Sequence, residues 1–285
     1  MHTTPGLHAL SLRYDAFLVD LYGVIHDGAR PFEGVIDALC ELAAAQRRVV
    51  FVTNTSRASD AVADTLASMG IAHDLYSAII SSGDVTRAAL ASCDPSLFAL
   101  LPARPRCVHL GDPSFVPWLF EPRLGLAFVD DLALADIVIA SGAPRDDDAL
   151  ARTRHDLAPL AARDVPLVCT NPDRVIPTAA GLALGPGAVA AAYASLGGRV
   201  FMYGKPFAPM YAAARALLPD VATDRIVAVG DLLDTDIRGA RAAGIVSVLV
   251  TATGGHAAAL TTATLDSLCA AAGVGPDFVV ERFAW

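Results

Sequence analysis

Basic residues are scarce in this chain and nowhere gathered: 21 lysines and arginines face 30 aspartates and glutamates, a formal charge of −9 at pH 7. No positive block offsets that balance, which argues against nucleic acid or an anionic membrane as the main partner. A phosphorylated small molecule stays admissible, because local charge sets the character of a site. No apolar run reaches the roughly 18 residues that a membrane-spanning helix requires. The N-terminus also lacks a basic region followed by an apolar segment, so a soluble, cytoplasmic protein is expected. The five cysteines, Cys40, Cys93, Cys107, Cys169 and Cys269, form no C-x-x-C pair and no metal-ligand spacing. Reduced, mostly buried thiols are expected. No internal repeat stands out, and alanine enrichment is the sole compositional bias.

Apolar content is what the chain has in plenty: 54% hydrophobic residues against 18% charged, over 285 residues. That is ample for a large core and unlike a disordered chain, and the length suits one large or two unequal domains. Ala16-Phe17-Leu18-Val19 reads as a buried strand ending on a carboxylate, Asp20, before the pattern breaks into Leu21-Tyr22-Gly23. Apolar positions Val35, Ile36, Leu39, Leu42 and Ala43 then recur at helical spacing. A second buried strand over 49–52 ends in Thr53-Asn54-Thr55-Ser56, and a helix over about 59–68 stops near Gly70. A third strand over 78–80 follows, with Asp84 placed to cap another helix. Strand and helix alternating at this spacing mark a parallel sheet with right-handed crossovers.

Proline clusters between Pro95 and Pro122, and the rhythm changes. Strands over 107–110, 126–129 and 137–140, a helix over 146–162 and a strand over 166–170 form a second α/β unit inserted into the first. After Gly185-Pro186-Gly187 the first pattern is expected to resume. It comprises a helix over 188–196, a strand over 199–203 leading to Gly204-Lys205-Pro206, a helix over 209–217, and a strand over 226–229 ending in Gly230-Asp231. Further strands fall at 246–250 and 278–280. The expected fold is therefore α/β: a doubly wound, Rossmann-like parallel-sheet core over residues 1–90 and 186–285, with an inserted α/β cap domain over 91–185.

Four strands end in a polar group: Asp20, Thr53, Lys205 and Asp231. In a parallel sheet the carboxyl ends share one edge, where open α/β sheets keep their ligands, so the four groups are expected to converge. Asp234 and Asp236 follow Asp231 closely. Carboxylates a few ångströms apart repel by about 4 kcal/mol per pair at an effective dielectric of 20, and the ammonium of Lys205 does not neutralise them all. A hard divalent cation does, and Mg²⁺ typically takes a few carboxylates plus a substrate phosphate. A plainer role is open to Asp234 and Asp236, capping the helix that runs on through Arg238 and Arg241.

Taken in order, Asp20 through Val24, Phe51-Val52-Thr53-Asn54, Gly204-Lys205-Pro206 and Gly230 through Ile237 resemble the four motifs of the haloacid dehalogenase superfamily. The inserted unit, with Thr170-Asn171-Pro172-Asp173 and the Gly185-Pro186-Gly187 return, is similar to the cap of its class IIA, the NagD-like phosphatases. The resemblance implies Mg²⁺-dependent hydrolysis of a small phosphorylated metabolite, with Asp20 as nucleophile forming an aspartyl-phosphate. It implies that Thr53 and the amide of Asn54 hold a phosphoryl oxygen, and that Lys205 neutralises charge beside Asp20. Asp20, Asp231 and the carbonyl of Tyr22 would hold Mg²⁺, with Asp236 behind them. Asn171, Asp173 and Arg174 would face the substrate from the cap, although an Asn-Pro turn accounts for them as well. A homodimer is compatible with all of this.

The departure from the family is Tyr22, which stands where its phosphatases carry a second aspartate as general acid and base. A phenol with an ordinary pKa near 10 is a poor base at neutral pH, and general acid–base help is worth about 10²–10⁴-fold. His26 or Asp27 could stand in, or simply build a turn with Gly28. Two alternatives follow: a binding or regulatory protein that keeps the fold without useful turnover, and a 2-haloacid dehalogenase. The acidic fourth motif, the large cap and Val24 in place of threonine weigh against the second.

Overall fold

A computed structural model describes residues 2–3, 6–178, 181–261 and 264–285. Along the chain the strands are β1 (His2–Thr3), β2 (Ala16–Val19), β3 (Arg48–Thr53), β4 (Ala78–Ser81) and β5 (Arg106–Leu110). There follow β6 (Ala127–Phe128), β7 (Ile137–Ala140), β8 (Leu167–Cys169), β9 (Val175–Thr178) and β10 (Gly181–Leu184). The last four are β11 (Val200–Met202), β12 (Ile226–Gly230), β13 (Val246–Val250) and β14 (Phe278–Val280). The chain divides into two compact units. One comprises Met1–Thr53, Ser59–Ile80 and Lys205–Trp285; the other comprises Asn54–Ala58 and Ser81–Gly204.

The first unit is built on a seven-stranded sheet in the order β1-β14-β13-β12-β2-β3-β4. Its central strands β2 and β12 are buried along their whole length, as the continuous apolar runs of a parallel sheet covered on both faces require. Period-two alternation divides their side chains between the faces. Phe17, Val19, Val248 and Val250 pack with Leu39, Leu42 and Leu66 on one face. On the other, Leu249 packs with Leu233 and Ile237. The parallel register aligns Val229 with Val19 and Val19 with Phe51. Asp20, Asp231 and Thr53 therefore leave the sheet at one edge, its carboxyl edge.

The second unit holds a five-stranded sheet in the order β11-β8-β7-β5-β6, parallel throughout. Val138, Leu167 and Cys169 pack there against Leu157, Leu160, Val189 and Tyr193, and the Tyr193 hydroxyl donates to the carbonyl of Val165 at 2.6 Å. This unit departs from expectation in three places. The helix Pro186–Ala194 and β11 do not return the chain to the first sheet, because β11 pairs in register with β8. The helix is apolar on several sides and buries Val189, Ala190 and Tyr193 among this unit's residues. The chain thus enters the first unit at Lys205, not at 186. β9 and β10 pair antiparallel where no strand was expected. Ser81, not Asp84, caps the helix Ser82–Ala91, and Asp84 closes the reciprocal half of a capping box.

Of the five thiols, Cys107 and Cys169 are buried whereas Cys40 and Cys93 are exposed, so burial is not their common state. No helix among the described residues is long and apolar enough to cross a membrane.

Candidate active site

Asp20 follows β2 directly, and its backbone N–H donates to the carbonyl of Val229 at 2.9 Å, which ties the end of β2 to β12. Lys205 reaches it from the first residue of the returning chain. The ammonium, 4% exposed, donates to Asp20 Oδ1 at 2.6 Å and to Asp236 Oδ1 at 2.7 Å. It is the chain's single lysine; every other cationic side chain is arginine or histidine. A compact ammonium with three donors suits a slot between two carboxylates that a flat guanidinium would have to widen.

Asp231 ends β12 and Asp236 lies five residues on, in the π-helical turn Leu233–Ile237. Asp231 and Asp236 are 2% and 5% exposed. Asp236 Oδ2 accepts the N–H of Leu232 at 3.1 Å, and its carbonyl accepts the Tyr211 hydroxyl at 3.1 Å. Carboxylate oxygens of Asp20, Asp231 and Asp236 all lie within 4.8 Å of one another. Asp234, by contrast, is exposed and pairs with Arg238 one helical turn on at 2.7 Å. Neither aspartate acts as the expected helix cap.

Three carboxylates around one ammonium leave an excess of negative charge in a dry place. Burial pushes Asp20 up to about 7 against the opposing pull of Lys205, with Asp236 adding to the rise. Burial, then the charges of Asp20 and Asp236, raise Asp231 well above the ordinary carboxylate range. Burial alone would lower Lys205, but Asp20 and Asp236 outweigh it and hold the ammonium above its usual value. One oxygen of Asp231, Oδ2, accepts the N–H of Gly255 at 2.6 Å. The other, Oδ1, is shielded from water and has no hydrogen-bond partner among the described residues. A buried carboxyl oxygen without a partner is costly, and more so when ionised. A divalent cation would satisfy it and neutralise the cluster, so the donor set fits a hard metal ion.

The loop after β13 was not legible as part of this site. Cα of Gly254 lies so close to Asp231 that a Cβ there would come within 2.1 Å of Oδ2, and its φ is +77°. Gly23, on the other side, would bring a Cβ to 2.3 Å of the same atom. His256 Nε2 accepts the N–H of Leu233 at 3.1 Å, which fixes this loop to the acidic turn. The signal in the sequence was a Gly-Gly-His step just beyond the buried run 246–250.

Tyr22, 36% exposed, begins a tight turn. Gly23 N–H donates to the His26 carbonyl at 2.9 Å, and Gly28 N–H donates to His26 Nδ1 at 3.0 Å. Asp27 Oδ1 accepts the N–H groups of Ala29 and Arg30, both at 2.9 Å. His26 and Asp27 are thus engaged in building the turn. Burial, then the charges of Asp27 and Asp231, raise the Tyr22 phenol above its ordinary value.

Thr53 ends β3 and is buried. The remaining candidates belong to the second unit. Asn54 is buried, and its Nδ2 donates to Asp173 Oδ1 at 2.8 Å. Asn171, also buried, accepts the backbone N–H of Asp173 on Oδ1 at 2.9 Å. Arg174 stands at the surface. Asn54, Asn171 and Asp173 therefore form one hydrogen-bonded network.

Two sequence models of known families match the chain. Residues 17–116 match that of haloacid dehalogenase-like hydrolases, and residues 202–285 match a second of HAD hydrolase-like proteins. Together they take in more than half of the chain. A D-glycerol 3-phosphate phosphatase of Mycobacterium tuberculosis is 29% identical over 256 residues, covering 86% of this chain. The chain spans 65% of that protein's length. A 4-nitrophenylphosphatase of Schizosaccharomyces pombe is 27% identical over 292 residues, covering 95% of this chain and 93% of its own. Among solved structures, a haloacid dehalogenase-like hydrolase from Brucella suis superposes with a TM-score of 0.81 at 27% identity, over 99% of this chain and 100% of that one. The M. tuberculosis glycerol phosphate phosphatase, solved in complex with magnesium, gives 0.64 at 27% identity over 86% of this chain and 71% of that one.

Proposed function

Starting from the chain's membership of the haloacid dehalogenase-like hydrolases, and of their class IIA, we propose that it is a Mg²⁺-dependent phosphatase of a small phosphorylated metabolite. The observation that carries this is the buried Asp20–Lys205–Asp236 arrangement, with the unpartnered oxygen of Asp231 beside it. Relatives named as phosphatases, one of them solved with magnesium, point the same way.

In this reading Asp20 is the nucleophile. One of its carboxylate oxygens attacks phosphorus, the bond to the ester oxygen breaks, and the alcohol leaves with a proton. Water then attacks the aspartyl-phosphate at phosphorus, releasing phosphate and restoring Asp20. Lys205 holds Asp20 Oδ1 by a charge-assisted hydrogen bond, which orients the attacking oxygen and offsets the charge that burial disfavours. Thr53, with the amide of Asn54, is assigned to a phosphoryl oxygen. Asp20, Asp231 and the carbonyl of Tyr22 would hold Mg²⁺, with Asp236 behind them; the ion's contribution is to neutralise phosphoryl charge. Positioning and charge stabilisation are most of what phosphoryl transfer asks of a protein.

Tyr22 supplies only half of what the usual aspartate would. Its phenol, raised above an already high pKa, is protonated at neutral pH and can donate a proton to the leaving oxygen. So weak an acid gives that proton up reluctantly, and while it keeps the proton it cannot take one from water. This favours slow release of phosphate from Asp20, and it is the one observation behind the second reading, a family member with little turnover. The buried acidic trio weighs against carbon–halogen chemistry.

The test is phosphate release from a panel of phosphomonoesters with Mg²⁺, with Asp20→Asn as control. Release by the wild type alone supports the proposal. No release, with Mg²⁺ bound, supports the second reading.

A further inference from the structure

The loop that carries Asp173 is held in one place. Gly187 N–H donates to the Asp173 carbonyl at 3.0 Å, and Gly185 N–H donates to that of Arg174 at 2.9 Å. A Cβ on Gly185 would lie 2.2 Å from the Asp173 carbonyl oxygen, and one on Gly187 would lie 2.0 Å from that of Pro172. The loop therefore rests on two glycines that no larger residue can replace, and Asn171 Oδ1 grips it from within. So seated, the Asp173 carboxylate accepts the Asn54 side-chain amide at 2.8 Å. The other end of that amide packs on Gly204, where a Cβ would lie 2.5 Å from Asn54 Oδ1. Asn54 is joined by one peptide bond to Thr53, and Gly204 by one to Lys205.

We infer that Asp173 is a positioning residue for phosphoryl transfer, not a substrate contact: it fixes the Asn54 side chain, and through it the backbone amide of Asn54. The inference rests on the phosphatase reading above. The Asn54 amide is assigned to a phosphoryl oxygen, and the buried side chain of that same residue is held by the Asp173 carboxylate and packs on Gly204 within the second unit. A misplacement of about 1 Å in such groups costs on the order of 100-fold.

The experiment is a double-mutant cycle in the full chain, read as kcat and KM for three phosphomonoesters with unlike alcohols, including p-nitrophenyl phosphate, with Tm measured for every variant. Asp173→Ala and Asn54→Ala are each expected to lower kcat by about 10- to 100-fold, by the same factor for every ester, with KM little moved. The double variant should be no worse than either single one. Asp173→Asn keeps an acceptor for the Asn54 amide and should retain most of kcat, whereas a carboxylate that binds substrate would lose its charge there and raise KM. Losses that differ among esters, a change confined to KM, or losses that multiply in the double variant would overturn the inference. If Asp173→Ala does not fold, Asn54→Ala and Asp173→Asn decide it alone. A wild type that hydrolyses none of the esters refutes the phosphatase reading itself and takes the inference with it, an outcome seen before any substitution is made.

Discussion

Replacing Lys205 by methionine removes a charge and keeps most of the volume, so it isolates what the ammonium does for the fold. Lys205 bridges Asp20 and Asp236 at 2.6 and 2.7 Å from a position 4% exposed. Its loss leaves two carboxylates dry and without their shared donor, beside a third, Asp231, that is already short of one. Each lost attraction is of order 4 kcal/mol at an effective dielectric of 20, offset by no longer burying the ammonium. Breaking a buried pair by removing one partner typically costs about 3–5 kcal/mol net. At roughly 2–3 °C per kcal/mol for a chain of this size, Tm in chelator should fall by about 6–15 °C. The assay is thermal unfolding of wild type and Lys205→Met at neutral pH, with EDTA and then with excess Mg²⁺. Mg²⁺ should return part of the loss, because binding to the folded state alone gives about 2.7 kcal/mol at a hundredfold excess over Kd. Equal Tm values in EDTA would refute the reasoning, since the carboxylates would then have no need of their counter-ion.

Tyr22→Asp restores a group that can both give and take a proton, so kcat/KM should rise more for an alkyl phosphate than for p-nitrophenyl phosphate, whose leaving group needs little help. A fall for both, with the fold and Mg²⁺ binding intact, would make Tyr22 part of a different mechanism. Gly254→Ala puts a Cβ 2.1 Å from Asp231 Oδ2 at a φ of +77°. The expected outcome is at least tenfold weaker Mg²⁺ binding by calorimetry, and unchanged binding would show that the loop does not set Asp231. Because Lys205 is the chain's single lysine, protein labelled with ¹⁵N-lysine should give one side-chain ammonium signal. That signal should persist past pH 10, since Asp20 and Asp236 hold the group above its ordinary value; loss of the proton at lower pH would contradict the ion-pair geometry.

Much of the first unit was legible because its signals are local. Runs such as 16–19 and 226–230 are apolar without interruption, which in a chain of this length means a strand covered on both sides, and each gives way to a carboxylate. The parallel register then brings Asp20 and Asp231 together with no further information. What could not be read depends on contacts distant in sequence. Nothing within Val200-Phe201-Met202 says which sheet it joins; that is decided by its register against Leu167–Cys169 and by the burial of Tyr193. The support of Asp231 by Gly254 and Gly255 is likewise a tertiary approach of a loop 23 residues or more downstream. The hydrogen bond from Asn54 to Asp173 is also a contact between residues more than a hundred positions apart, which no local pattern announces. The lone lysine, by contrast, was in plain view and singles out Lys205 without any structure.

The central claim is that Asp20 takes the phosphoryl group. It is tested most directly by acid-quenching the protein during turnover of a phosphomonoester with Mg²⁺ and mapping the modified peptide by mass spectrometry. The account predicts one phosphoryl group on the peptide containing Asp20, in a yield raised by slow release at Tyr22, and none on Asp20→Asn. A phosphoryl group mapped to another residue, or full-rate hydrolysis by Asp20→Asn, would contradict it.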